Sequence, residues 1–279
     1  MSKNSMATEV GTYPNWTRHT DYFLINYNTT GVCLSIPGIG GQGCTLISNR
    51  HVLLATHVAN TFPSLPQTVY FVNNSNVVFT YTITQITTIL HNTLDTDISI
   101  GYLNTTIDAS LSFHKVVPSN FLSYIYTSGI SQGIFQGDTI TSPYLPVFYM
   151  KSGTSSTVKE TYCGNLQILD INNPPPGDKG DEVRYVRPIV GARYNNSKEV
   201  VGGDSGNIVF ITVNNEIVIV GTNWTTLNIN VGTGVPGSGL STTSYISSNI
   251  TTINTAMTTL AGGNSYSLTQ ADLSGFKTF

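Results

Sequence analysis

The chain has 279 residues, 39% of them hydrophobic, and a formal net charge of −3. Length and apolar content exclude a disordered chain and suffice for one large all-β domain or two small ones around a buried core. Only 10% of residues are charged, against about 25% in an average soluble domain; no Lys/Arg cluster occurs and no apolar run exceeds strand length, so neither a nucleic-acid face nor a membrane-spanning helix is expected.

In chain order, the N-terminus has no apolar stretch of the kind a signal peptide carries. Runs rich in Val, Ile, Thr, Tyr and Phe then recur at 69–72, 77–84, 147–150, 166–169, 183–186, 208–213 and 217–220. Such residues fit a pleated, half-buried surface, and each run predicts a strand. Gly, Pro and Asn punctuate them, as at Pro37-Gly38, Asn73-Asn74 and Pro236-Gly237. Asn214-Asn215, between two apolar runs, predicts a two-residue hairpin. The charged stretch 178–187 reads as a solvated loop. Helical periodicity is confined to 246–260, before Gly262-Gly263. Many short strands and one late helix predict an all-β barrel or sandwich.

Three cysteines, Cys33, Cys44 and Cys163, rule out a fully paired intrachain framework. The sequence leaves open whether Cys33 and Cys44 pair across a hairpin or stay as thiols. The five histidines show no paired ligand spacing, so neither a metal nor another cofactor is expected.

Gly203-Asp204-Ser205-Gly206 is the strongest chemical motif. A nucleophilic serine needs a tight turn that exposes Oγ and free N–H groups that hold an oxyanion, and flanking glycines permit both. It also needs a general base. All five histidines (His19, His51, His57, His91 and His114) precede Ser205. That order excludes the usual α/β-hydrolase arrangement and leaves His…Asp…Ser or Asp…His…Ser.

His57 closes the stretch Leu46-Ile47-Ser48-Asn49-Arg50-His51-Val52-Leu53-Leu54-Ala55-Thr56-His57, and Asp97 opens Asp97-Ile98-Ser99-Ile100-Gly101-Tyr102-Leu103. These pieces, in this order with Gly203-Asp204-Ser205-Gly206, resemble the chymotrypsin-like serine proteases, nearer to their bacterial and viral branches. Tyr126-Thr127-Ser128-Gly129 resembles the strand that opens that family's second barrel. Val220-Gly221-Thr222-Asn223-Trp224 resembles one wall of its substrate cleft. The resemblance implies two six-stranded antiparallel Greek-key β-barrels with a short C-terminal helix. It implies an N-terminal extension (1–20), a first barrel carrying His57 and Asp97 (21–120), a second carrying Ser205 and the helix (121–262), and a tail (263–279).

By resemblance, His57, Asp97 and Ser205 form a catalytic triad that hydrolyses a polypeptide substrate. The N–H groups of Gly203 and Ser205 form the oxyanion hole, and Glu199, Val200, Asn223 and Trp224 line the substrate pocket. Asp95 competes with Asp97 for the acid's place, and Glu199 is either a pocket floor or a solvated loop residue. Asn207-Ile208 stands where the family usually has Gly-Pro, no half-cystine follows His57, and no Ile-Val-Gly-Gly start occurs, so Asp204 needs a partner other than a freed N-terminus. Thr56-His57-Val58-Ala59 also resembles the histidine motif of subtilisins, with Asp21 as acid, but that family's serine motif is missing. An alternative is a protease fold kept for a structural or binding role. A further one is an esterase or acyl transferase using the same triad. The Thr-, Ser- and Asn-rich, charge-poor composition points to an extracellular or virus-particle location. The tail residues Tyr266, Phe276 and Phe279 can dock on the protein itself or on a partner.

Overall fold

The computed structural model describes residues 7–10, 15–18, 20, 22, 24–40, 42–91, 93–124, 145–153, 157–168, 182–186, 200–227 and 240–276. Within them the protein is mostly antiparallel β-sheet with a short C-terminal helix. The first half supplies β1 (Ala7–Val10), β2 (Thr17–Arg18), β3 (Thr45–Leu46), β4 (His51–Ala55), β5 (Gln67–Val72), β6 (Val78–His91), β7 (Leu94–Leu103) and β8 (Lys115–Val116). A single helical turn, α1 (Thr56–Ala59), follows β4. The second half supplies β9 (Leu145–Ser152), β10 (Thr157–Ile168), β11 (Glu182–Val186), β12 (Ile208–Val213), β13 (Glu216–Leu227), β14 (Leu240–Tyr245) and the helix α2 (Ile250–Leu260).

Strands β3-β4-β7-β6-β5 form a curled five-stranded sheet. Its two edges approach one chain segment: Val32 bridges Thr45 on β3 and Ser35 bridges Tyr70 on β5. The larger sheet runs β11-β14-β13-β12-β9-β10-β1-β2, with β8 added alongside β13, and β10 also pairs with β11. The pairings β9-β10-β11-β14-β13-β12 and back to β9 therefore form a closed ring.

One core joins the two sheets. Leu53, Ile89, Ile98 and Ile100 from the first, with Ile47 of the β3–β4 turn, pack in the same cluster as Met150, Ile208, Phe210, Ile217 and Ile219 from the second. Helix α2 covers this cluster with Ile250, Ile253, Ala256, Met257 and Leu260, the spacing of one helical face. Its end is a Schellman turn: Gly263 N–H donates to Thr258 O and Gly262 N–H to Thr259 O, with Gly262 at φ 66°. The helix is shorter than the 246–260 expected, because Ser247–Asn249 forms a 3₁₀ turn before it.

The expected hairpin at Asn214-Asn215 is present. Both residues have positive φ (50° and 63°), the conformation a two-residue turn needs to match strand twist, and Val213 pairs with Glu216. The charged stretch 178–187 departs from a simple loop: Glu182–Val186 is a strand held between β10 and β14. The rest of that stretch, Tyr126-Thr127-Ser128-Gly129, Asp21 and Phe279 lie outside the described residues. The tail packs on the protein itself. Val116 N–H donates to Thr269 O, Ala271 N–H donates to Val116 O, and Leu268, Ala271 and Leu273 are buried, while Phe276 is exposed. No helix among the described residues is long and apolar enough to cross a membrane.

Candidate active site

Strand β4 is buried along its whole length and ends at Ala55, where α1 lifts the chain out of the sheet. His57 therefore sits at a strand end with its side chain 35% exposed, while Asp97 is almost wholly buried. The Asp97 carboxylate holds the imidazole twice. Its Oδ1 accepts the His57 backbone N–H at 2.9 Å, and both carboxylate oxygens lie within hydrogen-bond distance of Nδ1, at 2.9 and 2.8 Å. This fixes the ring orientation and the tautomer, with the proton on Nδ1 and the lone pair on Nε2.

A strand residue would not normally point this way. Along β6 and β7, Ile89 pairs with Ile98 but Leu90 pairs with Asp95, so Thr96 and Asp97 form a bulge. Asp97 takes φ 56°, a left-handed conformation that non-glycine residues adopt only when their surroundings impose it. Asp95 imposes it by accepting the Asp97 N–H on Oδ1 at 2.7 Å, and Thr96 by donating Oγ1–H to Ile89 O at 2.8 Å. Asp95 thus shapes the bulge and Asp97 meets the histidine. Behind them Thr56 Oγ1 and Ser99 Oγ share a buried hydrogen bond of 2.9 Å.

Ser205 is half-buried in the turn that leads into β12. Its carbonyl accepts Gly43 N–H at 3.1 Å, and Gly206 N–H donates to Asn223 O at 3.0 Å. A Cβ on Gly206 would lie 2.4 Å from Gly43 O and 3.6 Å from Ala55 N. The serine turn is thereby pressed against the end of β4, two residues before His57. Gly206 (φ 75°) is needed both for this approach and for its backbone conformation. Among the described residues, no hydrogen bond joins Ser205 Oγ to His57, and neither the Gly203 nor the Ser205 N–H has an acceptor. Gly203 has φ 99° and open space where a Cβ would stand.

Asp204 points inward and is 1% exposed. Its Oδ1 accepts Ser152 N–H and its Oδ2 accepts Val201 N–H, each at 2.8 Å. The ammonium of Lys151, itself buried on β9, lies 2.8 Å from Oδ2. Ser152 Oγ–H donates to Gly203 O at 3.0 Å. Asn207 is also committed inward, its Oδ1 accepting from the fully buried Lys159 ammonium at 2.5 Å and its Nδ2 donating to Asp204 O. These braces surround the motif, and among them only the need of Asp204 for a partner was legible beforehand. Nothing in the sequence marked Lys151, since an isolated lysine in a strand gives no pattern.

Of the expected pocket residues, Glu199 lies outside the described residues. Val200 is buried, and Val201 beside it is exposed. The Asn223 side chain is buried, with Nδ2 donating to Met150 O at 2.8 Å. Trp224 is half-buried and is the extra residue of a bulge between β13 and β14. Cys33 and Cys44 are buried thiols on adjacent chain segments, with Cys33 N–H donating to Cys44 O, and neither they nor Cys163 form a disulfide.

No protein-family model matches the chain, and no curated protein matches it.

Proposed function

We propose that this chain is a serine endopeptidase of the chymotrypsin-like kind, cleaving peptide bonds through an acyl-enzyme. The observation that carries the proposal is the buried carboxylate of Asp97 gripping His57 at both Nδ1 and the backbone N–H. A bulge that costs a left-handed aspartate achieves this, while the Ser205 turn is packed two residues away against Ala55. A merely structural histidine at a strand end has no need of an imposed tautomer.

In the proposed reaction His57 Nε2 takes the proton from Ser205 Oγ as that oxygen adds to the peptide carbonyl. Asp97 stabilises the imidazolium without accepting the proton. The N–H groups of Gly203 and Ser205 receive the developing oxyanion, each contributing about 3–4 kcal/mol in comparable enzymes. His57 then returns its proton to the leaving amine, and water, activated by the same imidazole, releases the acid. No cofactor takes part in this sequence.

The two-barrel architecture belongs to the same proposal. Two features support it: the closed ring of six pairings in the second half, and the 32–35 segment bridging both edges of the five-stranded sheet. A peptide library digested with the purified protein and read by mass spectrometry tests the activity. The proposal expects internal cleavage that Ser205→Ala abolishes. Cleavage unchanged in Ser205→Ala would refute it, and a folded wild type that cleaves nothing would favour the structural role.

A further inference from the structure

Cys33 and Cys44 face each other where segment 32–35 meets the edge of the five-stranded sheet, and the proposed chemistry uses neither thiol. We propose that they form a redox-active pair: a hydroperoxide oxidises Cys33, Cys44 resolves the product, and the resulting disulfide staples the first half of the fold. The proposal goes beyond the serine-protease reading and does not depend on it.

Val32 bridges Thr45 antiparallel, which sets Cys33 across from Cys44, and Cys33 N–H donates to Cys44 O at 3.0 Å. Directly opposed residues send their side chains to the same face, with Cα atoms about 5.5 Å apart. That separation lies within the range a disulfide spans, so the bond can close with little backbone movement. The side chains already meet: the two thiols hydrogen-bond each other inside an apolar cluster with Leu46 and Phe71. Burial pushes the Cys33 thiol up, but the Cys44 hydrogen bond, the Lys159 charge and backbone hydrogen bonds with Tyr70 and Ser35 outweigh it, and its pKa falls below the ordinary thiol value. Burial, and after it the Cys33 contact, push Cys44 well above that value. The pair is thus divided into a nucleophile that yields thiolate and a partner that keeps its proton. The way in is short: Ile36 and Ile39 pack in the same cluster, while Pro37, Gly38 and Gly40 around them are exposed.

In the first step the Cys33 thiolate attacks one oxygen of hydrogen peroxide. The O–O bond breaks, an S–O bond forms, and the departing hydroxide takes up the proton that Cys33 released. The Cys44 sulfur then attacks the Cys33 sulfur. The S–O bond breaks, the S–S bond forms, and hydroxide leaves as water with the Cys44 proton. The sulfurs together lose an electron pair, and the peroxide ends as water. The new bond holds Cys44 to the segment that bridges both edges of the sheet, beside Gly43, whose N–H donates to Ser205 O.

The test treats the folded, fully reduced protein with a small excess of hydrogen peroxide, unfolds it in a thiol alkylator and maps it by mass spectrometry. The tryptic peptide 19–50 carries both cysteines, and Cys163 lies in another. The expected product is a 19–50 peptide lighter by two hydrogens and closed to alkylation, formed before Cys163 reacts and reopened by dithiothreitol. The oxidised protein should melt about 5 °C above the reduced one, the scale expected of a disulfide that closes a short loop. Cys44→Ser should trap a dimedone-reactive sulfenic acid at Cys33, whereas Cys33→Ser should leave Cys44 unlabelled. Should either variant fail to fold, the wild-type result decides alone. Both cysteines open to alkylation after peroxide, Cys163 oxidised first, a bond that forms only in urea, or an oxidised form that melts no higher would each overturn the proposal. None of these readouts involves peptide cleavage, so failure here leaves the serine-protease reading standing, and failure of that reading leaves this pair untouched.

Discussion

At the residue scale, the two aspartates of Asp95-Thr96-Asp97 separate cleanly by what they touch. Asp97 contacts the imidazole, so Asp97→Asn should leave the fold intact and cut turnover by about 10⁴-fold, because a carboxamide cannot hold the required tautomer. Asp95 acts as a backbone acceptor, a task that asparagine can also perform, so Asp95→Asn should cost less than about tenfold. Hydrolysis rates of an ester substrate compare the two variants, and a reversal of their order would assign the acid to Asp95.

Two other histidines are structural and should be felt in stability. Burial first, and the nearby Arg50 charge after it, hold His51 down at about 4, its Nε2–H donating to Met257 O on α2. Burial first, and the Arg18 charge after it, hold His114 at about 4 as well. Both folded-state values lie below the unfolded value of about 6.5, so the unfolded chain binds protons that the folded one refuses. Stability is therefore level above pH 6.5 and falls as pH drops from about 6.5 toward 4. Melting temperatures measured across that window check it, and the fall should be shallower in His114→Gln.

At the element scale, the strands with strong apolar alternation were legible in sequence, as was the Asn214-Asn215 turn, because period and turn chemistry are local properties. Glu182–Val186 was legible as a strand only through its apolar half, since its charges pointed to a loop. The bulge at Thr96–Asp97 was not legible. It depends on a register shift between β6 and β7 that only the paired strands define. The same holds for the Ser205 turn, whose motif was plain while its anchorage to Gly43 and Ala55 was not. Gly206→Ala should therefore be severe: its Cβ would meet Gly43 O at 2.4 Å in a left-handed backbone. Loss of peptide cleavage, together with a lower melting temperature, is expected. Gly262→Ala, which meets no neighbour but keeps φ 66°, should cost only about 1 kcal/mol by denaturant unfolding.

At the scale of the whole molecule, the two sheets share one apolar cluster beneath α2, and the tail threads back along β8. Calorimetry should thus find a single cooperative transition, with fluorescence and circular dichroism melting together. Two separated transitions would mean that the halves fold independently and that the shared core contributes little. Composition foretold an all-β core, yet not that one cluster would unite both halves, because such packing joins residues from opposite ends of the chain, such as Ile47 and Met257. The catalytic proposal lives at this scale too, since it requires His57 and Asp97 from one half to work with Ser205 from the other. The most direct measurement of it is fluorophosphonate labelling with the adduct mapped by mass spectrometry. The expected result is one adduct, on Ser205, absent in Ser205→Ala and slowed at least about 10³-fold in His57→Ala. A folded wild type that does not label, or labelling that persists without Ser205, would contradict it.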